Sequence, residues 1–317
     1  MIERRRVVGG NGEKNYSREY LTVKVKSGSP KIYCHNAVVA IYYSTDGNSW
    51  NTLSSQGNIF NANDIIFLKA TYIDTNNRVQ YLRIQDDGSV ELYGNPLSLV
   101  YGDSFTDYIN SAPPVSALAA LFDGSVGCEI DASNLVIPEI LSEDCCRAMF
   151  GNCKGLVVPP KLPATTLEKA CYNYMFSGCT SLTTAPELPA TTLALRCYYD
   201  MFSGCTSLTT APELPATTLG TSCYYEMFSG CTSLTTAPLI SDATGGSTCY
   251  VRMFYGCTRL KYIKYMGLTA PSNVHNQDWV KGVASFGTFI KNSAATWTHV
   301  YAAYGIPSGW TVMTANS

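Results

Sequence analysis

Charge and histidine are scarce in this chain. Only 15% of its residues are Asp, Glu, Lys or Arg, where about 25% is usual, and 22 basic residues stand against 24 acidic ones. No basic excess points to nucleic acid. The three histidines, His35, His275 and His299, have no motif neighbours. No HExxH, GxSxG, phosphate loop or dinucleotide fingerprint occurs. No apolar run approaches the roughly 18–20 residues of a membrane span, which argues against membrane insertion. At the N-terminus, MIERRRVVGGNGEKNYSREY follows its three arginines with only Val7 and Val8 before turning polar. The apolar middle of a secretory signal is missing, so export through the general secretory route is not expected. What remains is 46% hydrophobic and 12% aromatic over 317 residues, enough for a folded core and long enough for two domains, or one domain and a repeat array.

The strongest signal is self-similarity. MFSGCTSLTTAPELPATTL runs from Met175 to Leu193 and recurs unchanged from Met201 to Leu219, and a third copy starts at Met227 and decays after Pro238. Met149, Met175, Met201, Met227 and Met253, each followed by Phe, anchor a period of 26. Most of the 13 cysteines fall on the same period, in the series Cys145, Cys171, Cys197, Cys223, Cys249 and Cys153, Cys179, Cys205, Cys231, Cys257. At helical rise Cys197 and Cys205 are about 12 Å apart, beyond the reach of a bridge. They read as reduced, buried, small hydrophobes. With no CxxC or His cluster beside them, no metal site and no cofactor are assigned.

Within a unit, Leu193, Cys197 and Met201 lie at i, i+4 and i+8, with Tyr198 and Phe202 at i and i+4, which predicts a short helix. Gly204 follows as its stop, Leu208 to Ala211 is a short extended run, and Pro212 and Pro215 keep the next stretch out of a central strand. The unit reads as strand, turn and helix. Stacked copies align Leu156, Leu182, Leu208, Leu234 and Leu260 in one row. Positions that differ between the copies stand out against this constancy: Tyr174, Asp200, Glu226 and Arg252 before the Met, and Ala170, Arg196, Ser222 and Thr248 before the Cys. The first four form a candidate recognition face, set against a plain solvated surface.

From Tyr20 to Tyr93 the segments LTVKVK, AVVAIYYS, DIIFLKATYI, VQYLRIQ and SVELY alternate like strands, separated by turn clusters. The expected fold is mixed and mainly β: an N-terminal antiparallel β-sandwich followed by a leucine-rich-type solenoid of 26-residue repeats with a C-terminal cap. Its divisions are an extended attachment arm at 1–19 with Arg4, Arg5 and Arg6 as anchors, a sandwich at 20–100, a linker or N-terminal cap at 101–128, the solenoid at 129–264 and the cap at 265–317. The cap holds Trp279, Trp297 and Trp310, read as core in preference to a sugar-stacking platform. A glycosidase needs two facing carboxylates. The places equivalent to Glu187 and Glu213 in the neighbouring units hold Lys161 and Leu239, so no catalytic residue is assigned and the chain is read as a non-enzyme.

GCTSLTTAPELPATTL together with CYxxMF resembles the BspA-like leucine-rich repeats abundant in gut Bacteroidetes such as Bacteroides and in the phages that infect them, including crAss-like phages. IYYSTDGNSW, GNPLSLVYGDSF, WVKGVASFGTFIKN and YGIPSGWTV resemble the flanking segments of the same group. The resemblance implies a surface or adhesion protein. Bacterial members usually carry an export or lipoprotein signal, so its absence points to the phage branch. There the implied function is a virion structural protein, a head or tail fibre or decoration. It would be assembled in the host cytoplasm and released by lysis, with a capsid or tail protein and a host-surface glycan or protein as partners, and homo-oligomeric, as in a trimeric fibre. The alternative is a bacterial cell-surface or secreted BspA-like adhesin.

Overall fold

The computed structural model describes residues 18–35, 40–70, 81–241, 243–268, 277–295 and 305–315. The strands are β1 (Leu21–Gly28), β2 (Lys31–His35), β3 (Ile41–Ser44), β4 (Asn51–Thr52), β5 (Asn58–Ile59), β6 (Ile65–Ala70), β7 (Tyr81–Gln85), β8 (Gly88–Gly94), β9 (Glu129–Leu135), β10 (Leu156–Val158), β11 (Thr218–Leu219), β12 (Thr244–Gly245), β13 (Tyr262–Tyr265), β14 (Thr288–Asn292) and β15 (Thr311–Ala315). Among the described residues, helix is confined to one turn at Ser98–Tyr101 and a 3₁₀ segment at Gly102–Asp107. The protein is mainly β, with a β-solenoid of about six turns.

At the N-terminal end, β4, β3, β6, β1 and β8 pair antiparallel, and β5, β2 and β7 form a second antiparallel sheet. Alternation does the work expected of it: Leu21, Val23 and Val25 of β1 and Ile66 and Leu68 of β6 are buried, as are Ile32, Leu82 and Ile84 of the second sheet. One surface tie fastens Tyr20 beside β1. Its hydroxyl donates to Asp103, Lys69 grips the same carboxylate at 2.8 Å, and the Lys69 ammonium lies 4.2 Å from the centre of the Trp50 ring. The larger sheet then passes directly into the solenoid, because β9 adds to β8 in parallel with Val90 beside Ile130, and β10 adds to β9.

The helix expected around Cys197 to Phe202 is not formed. These residues build a ladder of turns, and two kinds of backbone bond alternate along it. Ala170, Tyr172, Tyr174, Phe176 and Gly178 donate to Leu195, Cys197, Tyr199, Met201 and Ser203 of the next coil, while Asn173, Met175, Ser177 and Cys179 donate three residues back to Ala170, Tyr172, Tyr174 and Phe176. The ladder repeats every four residues, with left-handed backbone at Ala170, Tyr174 and Gly178, at Arg196, Asp200 and Gly204, at Ser222, Glu226 and Gly230, and at Thr248, Arg252 and Gly256. An α-helix has 3.6 residues per turn, so eight residues carry a side chain about 80° past its starting direction. A four-residue turn brings it back to the same side, and apolar residues at i, i+4 and i+8 fit it better. The ladder already runs through Ser116, Ala120 and Gly124, and through Asp144, Ala148 and Asn152.

Inside, identical residues stack coil upon coil. The rings of Phe122, Phe150, Phe176, Phe202, Phe228 and Phe254 are 5.1 to 5.8 Å apart and nearly parallel. Tyr172, Tyr198, Tyr224 and Tyr250 make a second column at 6.1 to 6.2 Å. Such ring pairs contribute roughly 0.5–1.5 kcal/mol beyond the area they bury. All 13 cysteines are reduced and buried. In the series Cys179, Cys205, Cys231 and Cys257 each thiol donates at 3.0 to 3.1 Å to the carbonyl of Phe150, Phe176, Phe202 and Phe228 one coil before. A small apolar side chain with one weak donor fits that place.

The stacking carries on past Leu260, where the sequence period fades. Ile263 of β13 lies beside Phe289 of β14, and Phe289 beside Val312 of β15, all in parallel. Trp279 is fully buried against Phe254 and donates its indole N–H to the Gly305 carbonyl at 2.9 Å. Trp310 is likewise buried and donates to Ala284 at 2.8 Å. Neither ring is open as a platform. Trp297 lies outside the described residues.

Candidate recognition face

A turn ladder with a left-handed residue at every fourth position sorts side chains into two sets. Between those residues the inward positions are held constant by packing, as with Met201 and Phe202, both at 0% exposure. The left-handed positions begin each turn and range from buried, as at Ala170, Asp200 and Ser222, to exposed, as at Arg196 and Arg252. Tyr174, Asp200, Glu226 and Arg252, singled out by their variation, all occupy one such place, with φ of 58°, 53°, 51° and 51°. Their amides donate to Tyr199, Tyr225, Val251 and Gln277 of the following coil, so the four side chains stand in a single column. The other variable set, Ala170, Arg196, Ser222 and Thr248, forms a parallel column four residues earlier, also left-handed. At both places backbone bonds between coils fix the conformation and the side chain contributes little to it. Residues other than glycine are uncommon at positive φ, and here they recur because neighbouring coils over-determine the turn.

The face has definite chemistry. Glu226 is paired with Arg252 at 3.2 Å, and this keeps the Arg252 guanidinium charged. Asp200 is 7% exposed. Burial, reinforced by the negative Glu226 one coil on, pushes its carboxyl up to about 7, against the opposing hydrogen bonds from Ser203 and Tyr174. Beside this column run Tyr199 and Tyr225, half-buried and stacked 4.6 Å apart. Tyr174 leans on Tyr199 at 5.6 Å, and Arg196 covers the Tyr199 ring at 5.8 Å. The strip therefore presents ring edges, hydroxyls and a mixed set of charges to solvent, a surface suited to hydrogen-bonded recognition.

Three contributors escaped the sequence reading. Tyr199 and Tyr225 belong to the face, and the sequence reading assigned them no role. Asp278, with φ 55°, continues the Arg252 column one coil on, and Gly282, with φ 80°, continues the Gly256 column. Extending the period of 26 from Gly256 to Gly282 is the signal that finds both. Positive φ favours glycine in that column from Gly178 onward, although Asn152 holds the same place one coil earlier, and a Cβ at Gly204, Gly230 or Gly256 would lie at ordinary contact distance, 3.6 to 3.9 Å, from the preceding coil's α-carbon.

The proposed anchors Arg4, Arg5 and Arg6 lie outside the described residues, as do His275 and His299. A shallow open cleft of about 400 Å³ sits at the other end, bordered by Lys261, Phe286, Thr288 and Thr311. It brings no acid–base pair together. Among the described residues no three His, Cys, Asp or Glu side chains converge as a metal site, and no helix is long and apolar enough to cross a membrane. No family model matches the chain, and no curated protein or solved structure resembles it.

Proposed function

We propose that this chain is a phage virion structural protein, a head or tail fibre or decoration, held to the particle by its N-terminal region and displaying a leucine-rich-type solenoid of 26-residue repeats for adhesion to the host surface. The observation that carries the reading is the segregation of variation. Side chains that differ between otherwise repeated coils gather in two left-handed columns, where Arg196 and Arg252 are exposed and Tyr174, Glu226 and Thr248 half-buried, while the inward Met, Phe, Cys and Leu columns stay uniform. A solenoid presents just such an extended surface on a scaffold that tolerates change. In this reading the two antiparallel N-terminal sheets act as a sandwich that, with the arm preceding it, docks on a capsid or tail protein. The solenoid touches a host-surface glycan or protein, and the fibre is a homo-oligomer such as a trimer. The resemblance of the repeat and its flanks to BspA-like proteins of crAss-like phages supports this assignment, and no catalytic role is proposed.

The test is mass spectrometry of purified virions beside washed host envelopes, with imaging of positive particles. Stoichiometric recovery from particles supports the virion reading and locates the protein on head or tail. Recovery from the host envelope alone overturns it in favour of a bacterial adhesin.

A further inference from the structure

The two series of cysteines are not equivalent. In the series ending at Cys257 every thiol from Cys179 onward is directed at a carbonyl. In the other series Cys249 likewise faces a carbonyl, that of Gly220 at 3.1 Å, but Cys223 points its S–H at the sulfur of Cys249, one coil away, with the two Sγ atoms 3.6 Å apart. The coils are in close register at this point: the Ser222 amide donates to Ser247 at 2.8 Å, and the Ser222 and Thr248 hydroxyls are 2.6 Å apart. Adjacent chains in such a stack lie about 4.8 Å apart, within the roughly 4.4–6.8 Å that a disulfide spans between α-carbons. Cys145 and Cys146 are also close, at 3.7 Å, but as sequence neighbours their α-carbons are about 3.8 Å apart, below that range.

We propose that Cys223 and Cys249 form an oxidative modification site, a thiol pair on consecutive coils that a peroxide converts into an inter-coil disulfide ahead of the other cysteines. The cover over Cys249 is thin. Gly246 packs directly on its sulfur, where a Cβ would sit 2.3 Å from Sγ, and Gly245 and Ser247 beside it are exposed. The Cys223 S–H donated to it lowers the Cys249 pKa, while burial raises that of Cys223. Cys249 is thus the nucleophile. Its thiolate attacks one oxygen of hydrogen peroxide, the O–O bond breaks, and the leaving hydroxide takes up a proton as water. The Cys223 sulfur then attacks the resulting sulfenic acid, the S–O bond breaks, and the second hydroxide leaves with the Cys223 proton as water. Two thiols lose two electrons, and one peroxide becomes two waters.

The experiment treats the folded full-length protein with one equivalent of hydrogen peroxide, alkylates remaining thiols in denaturant, and maps the peptides. No Lys or Arg lies between Arg196 and Arg252, so cleavage after Glu226 is added to place Cys223 and Cys249 on separate fragments. The expected product is a fragment pair linked through these two sulfurs, formed before any other cysteine is lost. With Cys223→Ala, a dimedone adduct is expected on Cys249. Recovery of both thiols alkylated while other cysteines are consumed, or after excess peroxide, overturns the proposal. The wild-type map alone decides this, whether or not the variant folds.

Discussion

Replacing Asp200 by Asn converts the buried carboxyl of the variable column into a group that stays neutral at every pH, and both sign and size of the effect follow from its surroundings. In the folded protein the carboxyl titrates at about 7, and in the unfolded chain near 3.9. Between those values the folded state binds the proton more tightly, so stability falls as pH rises through this window and the loss is complete above about 7. The full interval corresponds to at most about 4 kcal/mol, and solvent at the edge of the face reduces it to about 2 kcal/mol. Asn fits the same backbone, since it too tolerates positive φ. A solenoid opens locally, so the assay is amide hydrogen exchange at Phe202 and Gly204, which donate to Met227 and Ser229 of the next coil. Comparing the two proteins at one pH cancels intrinsic exchange. At pH 8 these amides are expected to exchange about 30-fold more slowly in Asp200→Asn, the equivalent of about 2 kcal/mol, and at pH 4 the two proteins are expected to agree. Equal protection at pH 8, or better protection of the wild type there, refutes the reasoning.

Three further outcomes are expected. Phe202→Ala, in a column whose neighbouring rings lie 5.6 and 5.7 Å away, lowers unfolding stability by about 3–5 kcal/mol, read as a fall in the urea midpoint. At Arg196, exposed with φ 55°, glycine is tolerated and valine costs about 1–2 kcal/mol more; a helix would give the opposite order, since glycine is the poorer helix former. Burial pushes the Cys205 thiol up to about 12, so at pH 8 an aqueous disulfide reagent leaves Cys205 unmodified until denaturant is added; prompt modification of the native protein contradicts its placement.

Much of the scaffold was readable from the chain, for a physical reason. A repeated unit must solve the same packing problem in each coil, so Met201, Phe202, Cys205 and Leu208 recur with their neighbours 26 residues away. The local backbone was not readable. Over eight residues a period of four and a period of 3.6 diverge by only about 80°, too little for three apolar positions to choose between them, and the feature that separates them, positive φ at Arg196 and Asp200, leaves no clear mark in their residue types. β2, with the sequence KIYCH, escaped because its polar residues lack a clean alternation. The variable column was found by its variation, but its extension to Asp278 was hidden once Met-Phe gave way to Trp279 and Val280.

The central claim is that a constant scaffold displays a variable column that binds the host surface. The most direct measurement is adsorption to host cells of the purified protein in which Tyr174, Asp200, Glu226 and Arg252 are all changed to glycine, which strips the side chains yet accepts the left-handed backbone. The account predicts that binding is lost while the circular dichroism spectrum is retained and the melting temperature does not fall. Undiminished adsorption by a folded quadruple variant would contradict it.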